Sequence, residues 1–195
     1  MSSESNTQKK SIPTWRKRLI PQSHLMDLGE KLREKDKKVV YTAGAWDMIH
    51  VGQARYLEEA KNRGDILVVG IVSDSVIKRL KGPNRPILGE QLRAEMVASL
   101  RCVDFVTIVN EPSSQPVLGL LKPDVYQTVQ EDWNKDYKES IEYKTVIKYG
   151  GEVVLIDRQS PAISTTKILE RTVAAQLSDI FKEYMKLVEK PLKER

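Results

Sequence analysis

Val39-Val40-Tyr41-Thr42-Ala43-Gly44-Ala45-Trp46-Asp47-Met48-Ile49-His50-Val51-Gly52-Gln53 reads as a buried strand, a turn of small residues and the first turn of a helix. The apolar run 39–42 is continuous rather than alternating, as in a strand covered on both faces. Thr42 closes that strand, and the small residues Ala43, Gly44 and Ala45 leave the backbone open to close approach by a ligand. His50 and Gln53 stand where the next helix begins, and free N–H groups together with the helix dipole favour an anion there. The imidazole of His50 can donate to a charged oxygen, and Gln53, one turn on, can donate from a neutral amide. Gly52 has no side chain to block a phosphate. Asp47 is assigned to the same site as a group that orients the loop rather than as a metal ligand.

Outward from this stretch the chain alternates strand with helix. Further β-branched runs fall at 66–72, 103–109, 124–129 and 152–156. Amphipathic segments fall at 51–63, 90–100, 115–121 and 137–149, several of them ended by glycine or proline. A final long helix is expected from about residue 164 to 190, with Ile168, Val173, Leu177, Ile180, Tyr184 and Leu187 as its apolar stripe. Five strands alternating with helices predict a Rossmann-like, doubly wound parallel α/β sheet with helices on both faces. Ligands of such sheets bind beyond the carboxyl ends of the strands, where strand order reverses. Residues 1–22, polar and broken by Pro13 and Pro21, read as a mobile basic arm. Residues 23–190 read as a single domain that starts with a short helix carrying Leu25, Leu28 and Leu32.

The chain has 195 residues and a formal charge of +5. That charge collects at the ends, around Lys9, Lys10 and Arg16–Arg18 and again from Lys182 to Arg195, on polar segments without interleaved aromatics. A nucleic-acid partner is therefore not expected. One cysteine, Cys102, cannot form an internal bridge. With no apolar run near the ~20 residues of a membrane helix and no secretory signal pattern, the expectation is a soluble cytoplasmic protein with no membrane contact.

A second constellation lies after the last strand: Arg158-Gln159-Ser160-Pro161-Ala162-Ile163-Ser164-Thr165-Thr166-Lys167. Ser164 is a good N-cap, but capping accounts for only one of the hydroxyls. Ser164, Thr165 and Thr166 beside Arg158 therefore read as a phosphate site at a helix start.

These segments resemble a known family. Thr42–Gln53 is similar to the T-x-G-x-F-D-x-x-H-x-G-H signature of cytidylyltransferase-like nucleotidyltransferases, departing at Trp46 and at Gln53, which stands where the second histidine belongs. Arg79–Ile87 resembles the R-x-K-G-P-x-R-P-I loop of heptose 1-phosphate adenylyltransferases, which implies that Lys81 reaches the triphosphate. Leu92–Leu100 is similar to D-R-x-x-x-L-x-x-L, placing Arg93 at the nucleotide, and Arg101–Asp104 to an R-x-V-D stretch near the dimer contact of relatives. Val129–Trp133 resembles the G-D-D-W of glycerol-3-phosphate cytidylyltransferases, keeping Asp132 and Trp133 but losing the glycine. Ile163–Ile168 resembles I-S-[ST]-T-x-[IL].

The resemblance covers about residues 37–172. It implies transfer of a nucleotidyl group from ATP or CTP to a sugar or polyol phosphate, with pyrophosphate released, Mg²⁺ accompanying the triphosphate, and a homodimer. His50, Lys81 and Gln53 are the implied catalytic residues. The alternative is a nucleotide-binding module of the same fold, catalytically weakened by the change at Gln53.

Overall fold

The computed structural model describes residues 12–133, 137–159 and 163–189. Five strands, β1 (Val39–Gly44), β2 (Ile66–Val72), β3 (Phe105–Val109), β4 (Val125–Val129) and β5 (Glu152–Ile156), form one sheet in the order β3-β2-β1-β4-β5. Every pairing is parallel. The expected doubly wound α/β architecture is what the chain adopts.

Side-chain alternation along the strands divides the core in two. Val40, Leu67, Val69, Ile71 and Val106 face one way, toward α3 (Val51–Lys61) and α5 (Glu90–Ala98), which supply Leu57, Ala60, Ala94 and Val97. Val39, Tyr41, Val68 and Tyr126 face the other way, toward α2 (Leu25–Arg33), α6 (Gln115–Leu121) and α7 (Ile141–Lys148). Burying each such aliphatic side chain contributes about 1.5–3 kcal/mol, which explains why the runs had to be apolar on both faces.

Strand order reverses between β1 and β4, and the ladder there is short. It pairs only Val40 with Val125 and Tyr41 with Tyr126, whereas β1 stays in register with β2 through Gly44 and Ile71. β4 likewise stays with β5 through Val129 and Ile156. The two central strands therefore part toward their carboxyl ends. Tyr56 of α3 fills the gap: its hydroxyl donates to Gln127 O at 3.1 Å and lies 2.9 Å from Thr42 Oγ1, which is left as the donor. Gln127, fully buried, returns a bond from Nε2 to Tyr56 O at 3.2 Å.

Two sequence expectations change. Residues from 12 onward are not an arm. After α1 (Thr14–Lys17), Ile20 N donates to Val106 O and Val106 N to Arg18 O, both at 2.8 Å, extending the sheet past β3. Arg18 Nη1 caps the end of α5, donating to Ala98 O and Leu100 O, where carbonyls lack helical partners. Residues 1–11 lie outside the described residues. A further helix, α4 (Asp74–Lys81), carries Arg79 and Lys81, which were expected on a loop. The last helix, α8 (Thr165–Glu189), is the long helix expected, and its apolar stripe is exposed: Val173 by 53%, Leu177 by 60%, Ile180 by 62% and Tyr184 by 60%.

Replacing Tyr56 with Phe removes the bridge and leaves the buried Thr42 hydroxyl and Gln127 carbonyl each without this partner, at a cost of about 1–3 kcal/mol. Urea unfolding of Tyr56→Phe is expected to show a lower midpoint with an unchanged slope; an unaltered midpoint would show that the bridge carries no stability.

Candidate functional site

The parting of β1 and β4 opens a cavity of about 270 Å³ at the carboxyl edge of the sheet. Ala43–Asp47 line it from the β1–α3 loop, with His50, Gly52, Gln53 and Tyr56 from the start of α3. Thr128 and Val129 come from the end of β4, Lys81 and Arg85 from the end of α4 and the loop after it, and Arg158, Gln159 and Ile163–Thr166 from the approach to α8. Among the described residues, two helix N-termini and the cations Lys81, Arg85 and Arg158 thus face one space, against a single carboxylate, Asp47.

The β1–α3 loop is held in a costly shape. Trp46 and Met48 have φ of 51° and 52°, a left-handed conformation that costs non-glycine residues about 1–2 kcal/mol each. Burial of the Trp46 indole offsets this, with Nε1 donating to Gly70 O at 2.9 Å and the ring tilted against Tyr56. Gly44 lies beneath the same indole, where a Cβ would come within 3.1 Å of the ring.

Asp47 ties this loop to the segment between α4 and α5. Its carboxylate, 1% exposed, accepts from Ile87 N at 2.9 Å and Leu88 N at 3.0 Å, and Arg85 Nη2 lies 3.2 Å from Oδ2. Its backbone oxygen accepts from Thr165 Oγ1 at 2.6 Å, joining the start of α8 to the same point.

His50 is the N-cap of α3, with extended backbone. Its Nδ1 is buried without a hydrogen-bond partner among the described residues, and burial pushes its pKa below the ordinary histidine value. Gln53 Oε1 accepts from His50 N at 3.2 Å. Only the amide oxygen can accept from an N–H, so Nε2 is the donor Gln53 has left. The oxygen holds the helix start and the nitrogen is available to the cavity.

The arrangement suits a polyanion, and its sequence has relatives. The family model described as Cytidylyltransferase-like matches residues 41–171, a span that includes both the β1–α3 loop and the start of α8. The chain belongs to the cytidylyltransferase-like family. It is 41% identical over 149 residues to the bifunctional protein HldE of Syntrophotalea carbinolica, covering 75% of this chain and 29% of that protein. To the bifunctional protein HldE of Helicobacter pylori it is 43% identical over 119 residues, covering 61% of this chain and 25% of that protein. The chain thus spans under a third of the length of these relatives. Among solved structures, a lipopolysaccharide core biosynthesis protein from Thermoplasma volcanium superposes with a TM-score of 0.54 and 29% identity, covering 63% of this chain and 98% of that one.

Most residues singled out from the family signatures line the cavity: Ala43, Gly44, Ala45, Asp47, His50, Gly52, Gln53, Lys81, Arg158, Ser164, Thr165 and Thr166. Thr42 does not; it is buried behind the site, bonded to Tyr56. Arg93, expected at the nucleotide, is fully buried behind the cavity lining. Its guanidinium donates to Leu88 O, Ala45 O and Val72 O and pairs with Asp74 at 2.6 Å, so it fastens three loops together instead of meeting a ligand. Trp133 packs against the α2–α6–α7 side of the core, its Nε1 donating to Thr128 Oγ1 at 3.3 Å, outside the cavity lining. The side chain of Asp132 lies outside the described residues.

The hydroxyl cluster also divides. Ser164 Oγ accepts from Lys167 N at 3.2 Å as an N-cap, Thr165 is spent on Asp47 O, and Thr166 is the exposed member. Tyr56, Arg85, Thr128 and Gln159 are lining residues not singled out in the sequence. Arg85 and Gln159 lay within quoted stretches and could have been; Tyr56 and Thr128 carried no local signal.

A phosphate beside His50 raises the pKa that burial lowers. Ligand binding then takes up a proton between the free and bound values, so nucleotide affinity rises as pH falls through the bound value and levels off below the free one. Calorimetry of ATP or CTP binding across pH is expected to show this increment in the wild type and to lose it in His50→Gln. Identical profiles would remove His50 from the phosphates.

Proposed function

We propose that the chain is a nucleotidyltransferase that moves a nucleotidyl group from ATP or CTP to a sugar or polyol phosphate, releasing pyrophosphate. The carrying observation is the convergence of the α3 and α8 N-termini with His50, Gln53, Lys81 and Arg158 on one cavity. An acceptor phosphate oxygen attacks the α-phosphorus and forms the new P–O bond. The bond from that phosphorus to the oxygen bridging to the β-phosphorus breaks, and pyrophosphate leaves with the electron pair. No covalent intermediate on the protein is required. Catalysis rests on positioning and on donors that meet charge as it develops. His50 and Gln53 are the proposed donors to the reacting phosphate, and Lys81 to the β- and γ-phosphates.

Mg²⁺ is proposed as the triphosphate's own counterion. Among the described residues no cluster of three or more His, Cys, Asp or Glu could hold a metal, and Asp47 is occupied by Ile87 N, Leu88 N and Arg85. The described residues therefore do not fit a protein-held ion, and no step depends on one. The sugar phosphate side of the acceptor class is favoured by the resemblance at Arg79–Ile87 and by the similarity to the lipopolysaccharide core biosynthesis protein of Thermoplasma volcanium. The proposed setting is the cytoplasm, where such substrates occur; among the described residues no helix is long and apolar enough to cross a membrane.

Pyrophosphate release, measured with each of the common nucleoside triphosphates against a panel of sugar and polyol phosphates, is expected to show turnover with one pairing. Tight nucleotide binding without turnover on any pairing would establish the weakened binding module instead. In the active pairing, Gln53→Ala is expected to lower kcat by roughly 10²-fold, the usual cost of one transition-state donor. A rate in Gln53→His above the wild type would mark the site as a weakened form of its family's.

A second copy of the chain is the proposed partner. Val173, Leu177, Ile180 and Tyr184 alternate spacings of four and three, a coiled-coil seam, and α8 carries equal numbers of acidic and basic residues. Pairing two such faces would bury on the order of 1,000 Å², the threshold of a specific interface. Light scattering is expected to report a dimer that Leu177→Asp/Ile180→Asp converts to monomer. A monomeric wild type, or a variant that remains dimeric, would exclude α8 as the contact.

A further inference from the structure

Arg85 is a charged group of the cavity wall whose guanidinium the protein uses only in part. It stands on the segment between α4 and α5, its side chain 16% exposed, and it lines the cavity together with Lys81 and Arg158. The protein uses one edge of its guanidinium. Nη2 lies 3.2 Å from Asp47 Oδ2, long for a charge-assisted bond, while Nε is buried with no hydrogen-bond partner among the described residues. A latch built only for structure would present the guanidinium fork to both carboxylate oxygens. Here Oδ2 accepts Ile87 N and Oδ1 accepts Leu88 N, and the guanidinium meets the carboxylate through Nη2 alone.

The same two backbone bonds mean that Asp47 keeps partners if Arg85 leaves. A buried carboxylate stripped of its only cation would oppose such a move; one still holding two N–H groups does so much less. A planar fork of N–H donors matches phosphate oxygens better than it matches this crowded carboxylate. Lys81, exposed at the end of α4, offers a mobile point charge, whereas Arg85 is embedded in the wall and already directed by its neighbours.

We propose that Arg85 is a phosphate-gripping residue of this site. It parks on Asp47 in the free protein and transfers to the terminal phosphates of the bound triphosphate, holding them as pyrophosphate departs. The inference rests on the nucleotidyltransferase reading above. It assigns to Arg85 the part of the substrate distant from the base, so its loss bears on pyrophosphate much more than on a nucleoside monophosphate.

Calorimetry with magnesium pyrophosphate, and separately with AMP or CMP, would test this in the full chain. Arg85→Gln is expected to weaken pyrophosphate binding at least about tenfold, the worth of one charge-assisted bond, and monophosphate binding by less than about threefold. Arg85→Lys, which keeps a cation opposite Asp47, is expected to fall between wild type and Arg85→Gln for pyrophosphate. If Arg85→Gln does not fold, Arg85→Lys decides: reduced pyrophosphate affinity with unchanged monophosphate affinity supports the grip, and wild-type affinity for both overturns it. Equal weakening of both ligands also overturns it, because that is what a collapsed loop produces. A wild type that binds neither a triphosphate nor pyrophosphate removes the nucleotidyltransferase reading and this inference together. Wild-type pyrophosphate binding that survives in every variant removes this inference alone.

Discussion

The two central strands of the sheet stop pairing after Tyr41 and Tyr126, and the cavity exists because they do. Parallel strands that separate expose backbone groups which must find partners elsewhere, since a buried unpaired carbonyl or N–H costs as much as a lost hydrogen bond. Tyr56 meets that need at the deepest point of the gap. It is a long side chain from a helix on one face, with a hydroxyl able to accept from Thr42 and donate to Gln127 O. Farther out the gap is wide enough for a ligand, and there the lining changes from apolar to polar and cationic. The limit set by Tyr56 is thus also the floor on which the β1–α3 loop rests.

Above that floor the loops are held by two charged groups that the sheet buries. Asp47 gathers the β1–α3 loop, the segment between α4 and α5, and the start of α8. Arg93 gathers the end of β1, the end of β2 and the same α4–α5 segment from below. Buried charges survive only when paired and hydrogen-bonded, so each of these residues fixes its loops as a condition of being buried at all. Such bonding makes loops at the edge of a sheet rigid enough to hold His50 and Gln53 in fixed places on the cavity wall. It also makes the local strain at Trp46 and Met48 sustainable.

Much of this was legible in the sequence, and the parts that were not share a cause. The β1–loop–α3 stretch announces itself because strand, small-residue turn and helix start are each local, and their order fixes where the backbone N–H groups point. Burial on both sheet faces shows in the unbroken apolar runs for the same reason. Arg93 was misplaced because a long side chain on a helix can turn outward to a ligand or inward to carbonyls, and its neighbours in sequence are the same either way. Thr165 looked like a ligand group until the distant Asp47 carbonyl claimed its hydroxyl. The stripe on α8 correctly reported an apolar helix face, but periodicity records that a face needs cover, never what covers it. Residues 12–22 gave the opposite error: polar composition suggested an arm, and only the open edge of β3 shows why that segment docks.

Gln53 is where local and distant information meet. As a departure from H-x-G-H it reads as a loss, because a neutral amide replaces a group that can carry charge. Its placement alters the reading. The amide oxygen accepts from His50 N and completes the start of α3, a task a helix N-terminus requires of some acceptor, and the nitrogen is left with its N–H donors at any pH. A histidine has one nitrogen for each task only while neutral, and once protonated it has no acceptor at all. Glutamine separates the two duties permanently: acceptor toward the helix, donor toward the cavity. Charge at this corner of the site then depends on His50 alone. Because burial already holds His50 toward its neutral form, the fixed positive potential of the cavity comes from Lys81, Arg85 and Arg158, with the two helix N-termini supplying the oriented dipoles between them.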